Sequence, residues 1–314
     1  MDMYDIVIIG GGPAGLTAGI YACRAGWKTL VIEKGAIGGQ AAITDRIENY
    51  PGFTEGISGP ELMNNFYNQA VHFGCEMKIA EVSGLRKAQL QAGEKPLITV
   101  ETTDGQVQGK AVLVAAGAQA RELGIKGEKE FRGRGVSYCA TCDGFFFRNK
   151  KVAVIGGGDA AVKEALFLAK LAREVVVIHR RDTFRADKYL SEQVKATPNI
   201  KIYWDTVADE IVGEKLITAL LLHNVKTLET ITEAVDGVFV YVGRKPNTDF
   251  LGDDYPKSTQ GYLLTDESLQ TVIPGVFAIG DCREKQVRQV ATAVGDGASV
   301  LAAVEEYMRL YGEE

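Results

Sequence analysis

The sequence predicts an α/β fold made of two Rossmann-like, three-layer dinucleotide-binding domains, and three observations carry that prediction. A short apolar run ending at Gly10-Gly11-Gly12 opens the chain. The same arrangement returns at Gly156-Gly157-Gly158. Each copy is followed by a second apolar run that ends 23 positions after its first glycine, at Glu33 and at His179. Short apolar runs that stop at glycine and lead into a helical stretch are the pattern of buried parallel strands. A length of 314 residues accommodates two such domains, each with its own core.

In the first copy, Tyr4-Asp5-Ile6-Val7-Ile8-Ile9 reads as a strand, and a helix runs from Pro13 and Ala14 through Tyr21 to about Ala25. This is the setting in which G-x-G-x-x-G has physical meaning. Gly10 permits the tight turn, Gly12 lets the backbone approach a pyrophosphate, and Gly15 lets helix and strand pack closely. The helix N-terminus adds N–H groups and the positive end of a dipole. The next strand, Thr29-Leu30-Val31-Ile32, ends at Glu33-Lys34, where a carboxylate can accept hydrogen bonds from a ribose 2′-hydroxyl.

In the second copy, Lys151-Val152-Ala153-Val154-Ile155 reads as the strand and Gly156 and Gly158 as the turn. Asp159 and Ala160 open the helix, and Ala161 takes the third small position. The strand Glu174-Val175-Val176-Val177-Ile178 runs into His179-Arg180-Arg181 where the first copy has its acid. An arginine cluster there binds a 2′-phosphate through charge-assisted, bidentate hydrogen bonds, and Arg185 closes the clamp if residues 181–186 form one turn. The bland alternative is a solvated basic edge. With a plain adenosine in the first copy and a phosphorylated ribose in the second, FAD and NADPH are the expected cofactors.

Between the copies, immediately before the second strand, lies Cys139-Ala140-Thr141-Cys142-Asp143. Two cysteines two residues apart close a small, labile disulfide of the kind used catalytically. A zinc clasp would need a second ligand pair, whereas Cys23, Cys75 and Cys282 are solitary and His72, His179 and His223 are scattered. Asp143, beside a thiol and a reduced flavin, is expected to ionise reluctantly and so to serve as an acid/base, or else to cap the segment Gly144 to Phe147.

The net charge of −6 and the lack of a Lys/Arg block make nucleic acid and anionic membrane poor partners. The N-terminus has two acids and no basic region before its apolar run, so neither a signal peptide nor a membrane span is expected. Five cysteines, an odd and widely spaced set, fit a reducing compartment in which one pair cycles, and a cytoplasmic location is expected. Cys23 reads as a small buried hydrophobe on the first helix. Cys282, beside Asp281, stands nearer the expected flavin without a partner in sequence. Phe145-Phe146-Phe147 reads as core packing or a dimer contact. Arg132 and Arg134 are candidates for contact with an acidic partner.

With Cys139-Ala140-Thr141-Cys142-Asp143 between two glycine turns and His179-Arg180-Arg181-Asp182-Thr183-Phe184-Arg185 after the second, the chain closely resembles the low-molecular-weight, bacterial-type thioredoxin reductases over essentially its whole length. The resemblance extends to Gly38-Gly39-Gln40, to Glu48-Asn49-Tyr50-Pro51-Gly52, and to Gly280-Asp281 followed by Arg288-Gln289-Val290, which in that family line FAD, with Asp281 on its ribitol. It implies an FAD domain made of residues 1–117 and 247–314, with an NADPH domain of residues 118–246 inserted and free to rotate, and it implies a homodimer. The glycines and proline of Ala116-Gly117-Ala118-Gln119 and Gly243-Arg244-Lys245-Pro246-Asn247 agree with paired crossovers. Family likeness places Cys142 next to the flavin, Cys139 on the oxidised thioredoxin, and Asp143 as the proton donor. Ala160, Lys163 and Val290 depart from the family, which commonly has Ser/Thr, Glu and Ala there. The expected activity is NADPH-dependent reduction of thioredoxin. A ferredoxin- or NADH-driven flavoprotein of the same kind, or an FAD-dependent dithiol oxidase, is the alternative.

Overall fold

The computed structural model describes residues 2–44, 46–87 and 97–312, and the chain divides into two compact units: Met1–Gln119 with Lys245–Glu314, and Ala120–Arg244. The first unit begins with β1 (Asp2–Ile9), α1 (Pro13–Arg24), β2 (Thr29–Glu33), α2 (Gly39–Ala42), α3 (Gly59–His72), β3 (Glu76–Ile79), β4 (Val82–Lys87), β5 (Ile98–Thr102) and β6 (Gly105–Val114). Its strands follow the order β3-β2-β1-β6-β5-β4. β1 runs parallel to both β2 and β6, with Ile9 opposite Ile32 and Val114, so that three strand ends meet at the first glycine turn. Ile6, Val7, Ile8 and Ile9 are all buried, alternating between the two faces of the sheet. At about 1.5–3 kcal/mol for each buried aliphatic side chain, burial on both faces outweighs local propensity and drives the strand as far as Gly10.

The chain passes into the second unit through β7 (Ala118–Ala120). It continues with β8 (Val136–Ser137), α4 (Ala140–Asp143), β9 (Lys151–Gly156), α5 (Asp159–Ala169), β10 (Glu174–Ile178), α6 (Lys188–Ala196), β11 (Ile200–Tyr203), β12 (Thr206–Gly213), β13 (Ile217–Asn224), β14 (Thr230–Ala234) and β15 (Gly237–Tyr241). β11-β10-β9-β15-β8 form an all-parallel sheet, and β12-β13-β14 an antiparallel one. Val152, Val154, Val175, Val177 and Phe239 face Ala161, Ala165 and Leu168 of α5 and Val194 of α6. Ala153, Ile155, Val176, Ile178 and Val238 face Ile211, Leu220 and Leu222 of the antiparallel sheet. The unit is therefore three-layered: helices, parallel sheet, antiparallel sheet.

β16 (Arg244–Pro246) returns the chain, β17 (Val276–Ala278) joins β6 in parallel, and α7 (Val290–Gly312) closes the first unit. Opposite β1, the other edge of β6 serves two partners, antiparallel β5 along residues 105–109 and β17 along residues 112–114. On one face of the sheet Ile6, Ile8, Val31, Leu113 and Phe277 pack with Leu16 of α1, Leu62 of α3 and Val300 and Val304 of α7. On the other, Val7, Ile9, Leu30, Ile32, Val112 and Val114 are covered by Leu251, Tyr255 and Leu263. Two Rossmann-like three-layer units, one formed by an internal stretch of the chain, are thus the observed architecture. No described helix is long and apolar enough to cross a membrane.

Candidate active site

In the first unit the turn after β1 is built by steric exclusion. Gly10 has φ +112°, and a Cβ there would lie 2.3 Å from the Ala115 carbonyl oxygen, so no other residue fits. A Cβ on Gly12, by contrast, would meet nothing within 4 Å, so the start of α1 forms an open cradle. Pro13 is the first helical residue and no side chain caps the helix, so its first N–H groups point into that cradle unspent. The Glu33 carboxylate fixes the turn: one oxygen accepts from Gly11 N–H at 2.8 Å, the other from Lys34 N–H at 2.8 Å and Gly35 N–H at 3.3 Å. Beside it opens a cavity of about 220 Å³ lined by Gly10, Glu33 and Lys34 together with Ala80, Val82, Asn247 and Phe250. An uncapped helix end, an open cradle and a half-apolar cavity fit a pyrophosphate and its adenosine.

Gly38 N–H donates to the Gly11 carbonyl at 2.8 Å, which holds Gly38, Gly39 and Gln40 against the glycine turn. Asn49 Nδ2 donates to Gln289 Oε1 at 3.0 Å across a sequence separation of 240. Arg288 lies over the Tyr262 ring, its Cζ 3.9 Å from the centroid, with a buried Nε that has no hydrogen-bond partner among the described residues. Asp281 sits in the short 3-10 turn Gly280–Cys282. That turn is anchored by Asp296 of α7, which accepts from Gly280 N–H at 2.8 Å, Arg283 at 2.9 and 3.0 Å and Lys285 at 2.9 Å. Burial pushes the Asp296 carboxyl up, but the hydrogen bonds from Arg283 and Lys285 outweigh it and hold it below its usual range. Asp296, Ala80, Val82 and Phe250 were not found from sequence. Asp296 stands in mid-helix with no motif around it, and the other three line the cavity from two distant segments, Ala80 and Val82 at the entrance to β4 and Phe250 after β16. Cys282 is fully buried, its thiol pushed up to about 11 by burial, and it packs inertly beside Asp281.

The second unit repeats the construction. Gly156 (φ +152°) would clash with the Tyr241 carbonyl oxygen if it bore a Cβ, whereas a Cβ on Gly158 would meet nothing within 4 Å. Asp159, the first residue of α5, is tied by its carboxylate to the Asp187 N–H at 2.8 Å, and Ala160 follows it. His179 is buried, and its ring lies against Gly157, where a Cβ would come within 2.2 Å, and against Phe184 and Trp204. Burial, with Arg181, Arg185 and Arg180 nearby, holds its pKa below the usual value, so the ring is neutral at pH 7 and supports the turn from beneath. Arg180, Arg181 and Arg185 are exposed and form no ion pair among the described residues. Residues 181–186 do not form the single helical turn that the sequence allowed. They run as bends, and Arg185 is brought in by its N–H, which donates to the Gly157 carbonyl at 2.8 Å.

In the same unit Cys139 and Cys142 are joined by a disulfide, both half-buried, with Cys139 at the N-cap of α4. The Ser137 hydroxyl donates to the Asp143 carboxylate and accepts from Cys139 N–H at 3.0 Å. Asp143 stands at the N-cap of the 3-10 turn Gly144–Phe147, but its side chain makes no capping bond there. The Tyr241 hydroxyl, at the end of β15, accepts from Ala140 N–H; burial pushes its own ionisation far up. Below it, Glu164 of α5 turns inward with Oε2 buried and unpartnered among the described residues, and burial raises its carboxyl. Lys163 is exposed. The periodicity could have revealed this acid: Glu164 lies three residues after buried Ala161 and four before buried Leu168, on the buried face of α5. Phe147 packs on Phe239 at 5.3 Å while Phe145 and Phe146 are exposed. Arg132 pairs with Glu122 and lies over Tyr138, and Arg134 lies over Phe131.

The profile of the pyridine nucleotide-disulphide oxidoreductase family matches residues 4–297, and the chain belongs to that family. Within it, the chain is similar to the thioredoxin reductase of Treponema pallidum, 47% identical over 97% of each chain. It is likewise similar to that of Streptomyces coelicolor, 43% identical over 100% of this chain and 96% of the relative. Among solved structures, the thioredoxin reductase from Streptococcus pyogenes superposes with a TM-score of 0.90 at 43% identity, covering 98% of this chain and 99% of its own. The family likeness read from the cysteine pair and the two glycine turns is borne out.

Proposed function

We propose that the protein is an NADPH-dependent thioredoxin-disulfide reductase, an enzyme that passes an electron pair to the disulfide of a thioredoxin-like protein. The observation that carries this reading is the Cys139–Cys142 disulfide, set in the unit whose glycine turn is flanked by three exposed arginines that form no ion pair among the described residues. The unit Met1–Gln119 with Lys245–Glu314 is assigned to FAD, held at Gly10, Gly12, Pro13, Ala14, Gly15, Glu33, Lys34, Gly38, Gly39, Gln40, Asn49, Gly280, Asp281, Arg288, Gln289 and Val290. The unit Ala120–Arg244 is assigned to NADPH, held at Gly156, Gly158, Asp159 and Ala160, with Arg180, Arg181 and Arg185 on the 2′-phosphate and His179 positioning them. Bound together, the two cofactors supply a hydride and relay its electron pair.

The protein's own residues do the rest. The disulfide accepts the pair and opens, the Cys142 sulfur taking a proton delivered by Asp143, whose carboxyl is held by Ser137, and the Cys139 sulfur staying a thiolate. The Cys139 thiolate then attacks the partner's disulfide, giving a mixed disulfide and a departing thiolate that takes a proton. The Cys142 thiolate displaces the second partner thiol and restores the Cys139–Cys142 bond. One NADPH and one proton are consumed for each partner dithiol formed. The working form is assigned as a homodimer in the cytoplasm.

Steady-state oxidation of NADPH tests the reading. It should require oxidised thioredoxin, release one dithiol per NADPH and disappear in Cys142→Ser. NADPH oxidation that depends only on oxygen, with thioredoxin left oxidised, would sink it. Sedimentation equilibrium tests the dimer.

A further inference from the structure

Cys23 and Cys75 are separate in sequence and outside the site described above, yet the fold of the first unit brings them together. Cys23 is in the last turn of α1, and Gly19 lies four residues before it on the same helix face. Cys75 follows α3 at the entrance to β3, and a Cβ on Gly19 would lie 3.0 Å from its Sγ. The Cys75 thiol thus rests on the stripe of α1 that carries Cys23, in the core cluster against which Cys23 packs. The Cys75 sulfur also lies 4.0 Å from the Thr29 carbonyl oxygen and 3.9 Å from that of Glu76.

The two sulfurs are unequal. Cys75 is buried, whereas Cys23 is half-buried and reachable from solvent. The neighbouring Cys75 holds the Cys23 thiol down at about 7 against the opposing effect of burial, while Cys23 and burial push the Cys75 thiol well up. An accessible thiolate backed by a buried thiol is the arrangement of an attacking and a resolving cysteine. Glycine at position 19 keeps the approach open, since any side chain there would have to displace the Cys75 sulfur.

We infer that Cys23 and Cys75 form a second, peroxide-responsive dithiol that closes reversibly to a Cys23–Cys75 disulfide. The Cys23 thiolate attacks one oxygen of a hydroperoxide and breaks the O–O bond, becoming a sulfenic acid as the other oxygen leaves protonated. The Cys75 thiol then attacks the Cys23 sulfur, the disulfide forms and water departs. Two thiols lose two electrons in all, and the hydroperoxide is the two-electron oxidant. The product halts oxidation at a state that a dithiol can reverse, one step below sulfinic acid. This inference rests on no part of the proposed activity.

The test is a non-reducing peptide map of the FAD-loaded enzyme after a few molar equivalents of hydrogen peroxide, with free thiols alkylated on quenching. Cys139 and Cys142 are already joined, and buried Cys282 serves as the unreactive control. The expected result is loss of two of the three free thiols, a linked Cys23–Cys75 peptide that dithiothreitol abolishes, and Cys282 still fully alkylated. In Cys75→Ser, Cys23 should instead be trapped by dimedone as a sulfenic acid. Full alkylation of both cysteines after peroxide, or Cys23 driven to sulfinic acid with Cys75 still alkylated, would overturn the inference. The wild-type map decides even if the variant does not fold.

Discussion

The Ser137 hydroxyl joins the two groups on which the redox chemistry depends, the backbone at Cys139 and the carboxylate of Asp143. Aspartate at this point is therefore held by a hydrogen bond and not spent on capping, which suits the proton-donor role proposed for it. Asp143→Asn keeps the size and loses the proton; thioredoxin-dependent turnover should fall by about 10²–10⁴-fold, the usual worth of a placed acid, with NADPH affinity unchanged. The arginines make a separate prediction. Each charge-assisted bond to a phosphate contributes roughly 1.5–3 kcal/mol, so Arg180→Gln or Arg181→Gln should raise the KM for NADPH by about 10–100-fold, leave kcat nearly intact and leave NADH kinetics unmoved. Equal losses with both nucleotides would mean that the cluster is a solvated edge.

Two helices carry consequences that no single motif announces. On α5, the Oε2 of Glu164 is buried without a partner among the described residues, so folding raises its pKa above the unfolded value. Its carboxyl folds without penalty below the unfolded pKa, and stability is lost as pH rises through the folded value. Glu164→Gln should therefore raise Tm at pH 8, with the gain vanishing near pH 4, as followed by calorimetry across that range. On α7 the sign reverses. Asp296 has its pKa lowered by Arg283 and Lys285, so its contribution is present above the unfolded carboxylate pKa and is lost as pH falls through the folded one. Asp296→Asn leaves two part-buried cations uncompensated; a loss of about 3 kcal/mol, the lower end for a broken buried pair, and weaker retention of FAD are expected by denaturant titration and flavin release.

At the scale of the whole molecule, the parts legible in the sequence were those governed by local rules. Strand, glycine turn and helix repeat because backbone sterics at Gly10 and Gly156 admit no substitute, and Glu33 and His179 hold equivalent places because each stands where the second strand of its copy ends. Long-range packing was not legible. The pairing of β17 with β6, the support that Asp296 gives the Asp281 turn, and the approach of Cys75 to α1 depend on residues far apart in the chain. His179 was grouped with the arginines because it adjoins them, yet burial against Gly157 and Trp204 makes it a wedge under the turn. Lys163 drew attention as a departure from family pattern, while the inward-facing acid lies one residue on.

The proposed electron path runs from NADPH to a protein disulfide by way of Cys139 and Cys142. Anaerobic stopped-flow absorbance of the FAD-loaded enzyme, with NADPH and NADH in parallel and oxidised thioredoxin added afterwards, tests it most directly. NADPH should bleach the flavin far faster than NADH, thioredoxin should restore the oxidised spectrum, and Cys139→Ser should still bleach but not be restored by thioredoxin. A flavin that neither nucleotide bleaches, or one that thioredoxin reoxidises equally well without Cys139, would contradict it.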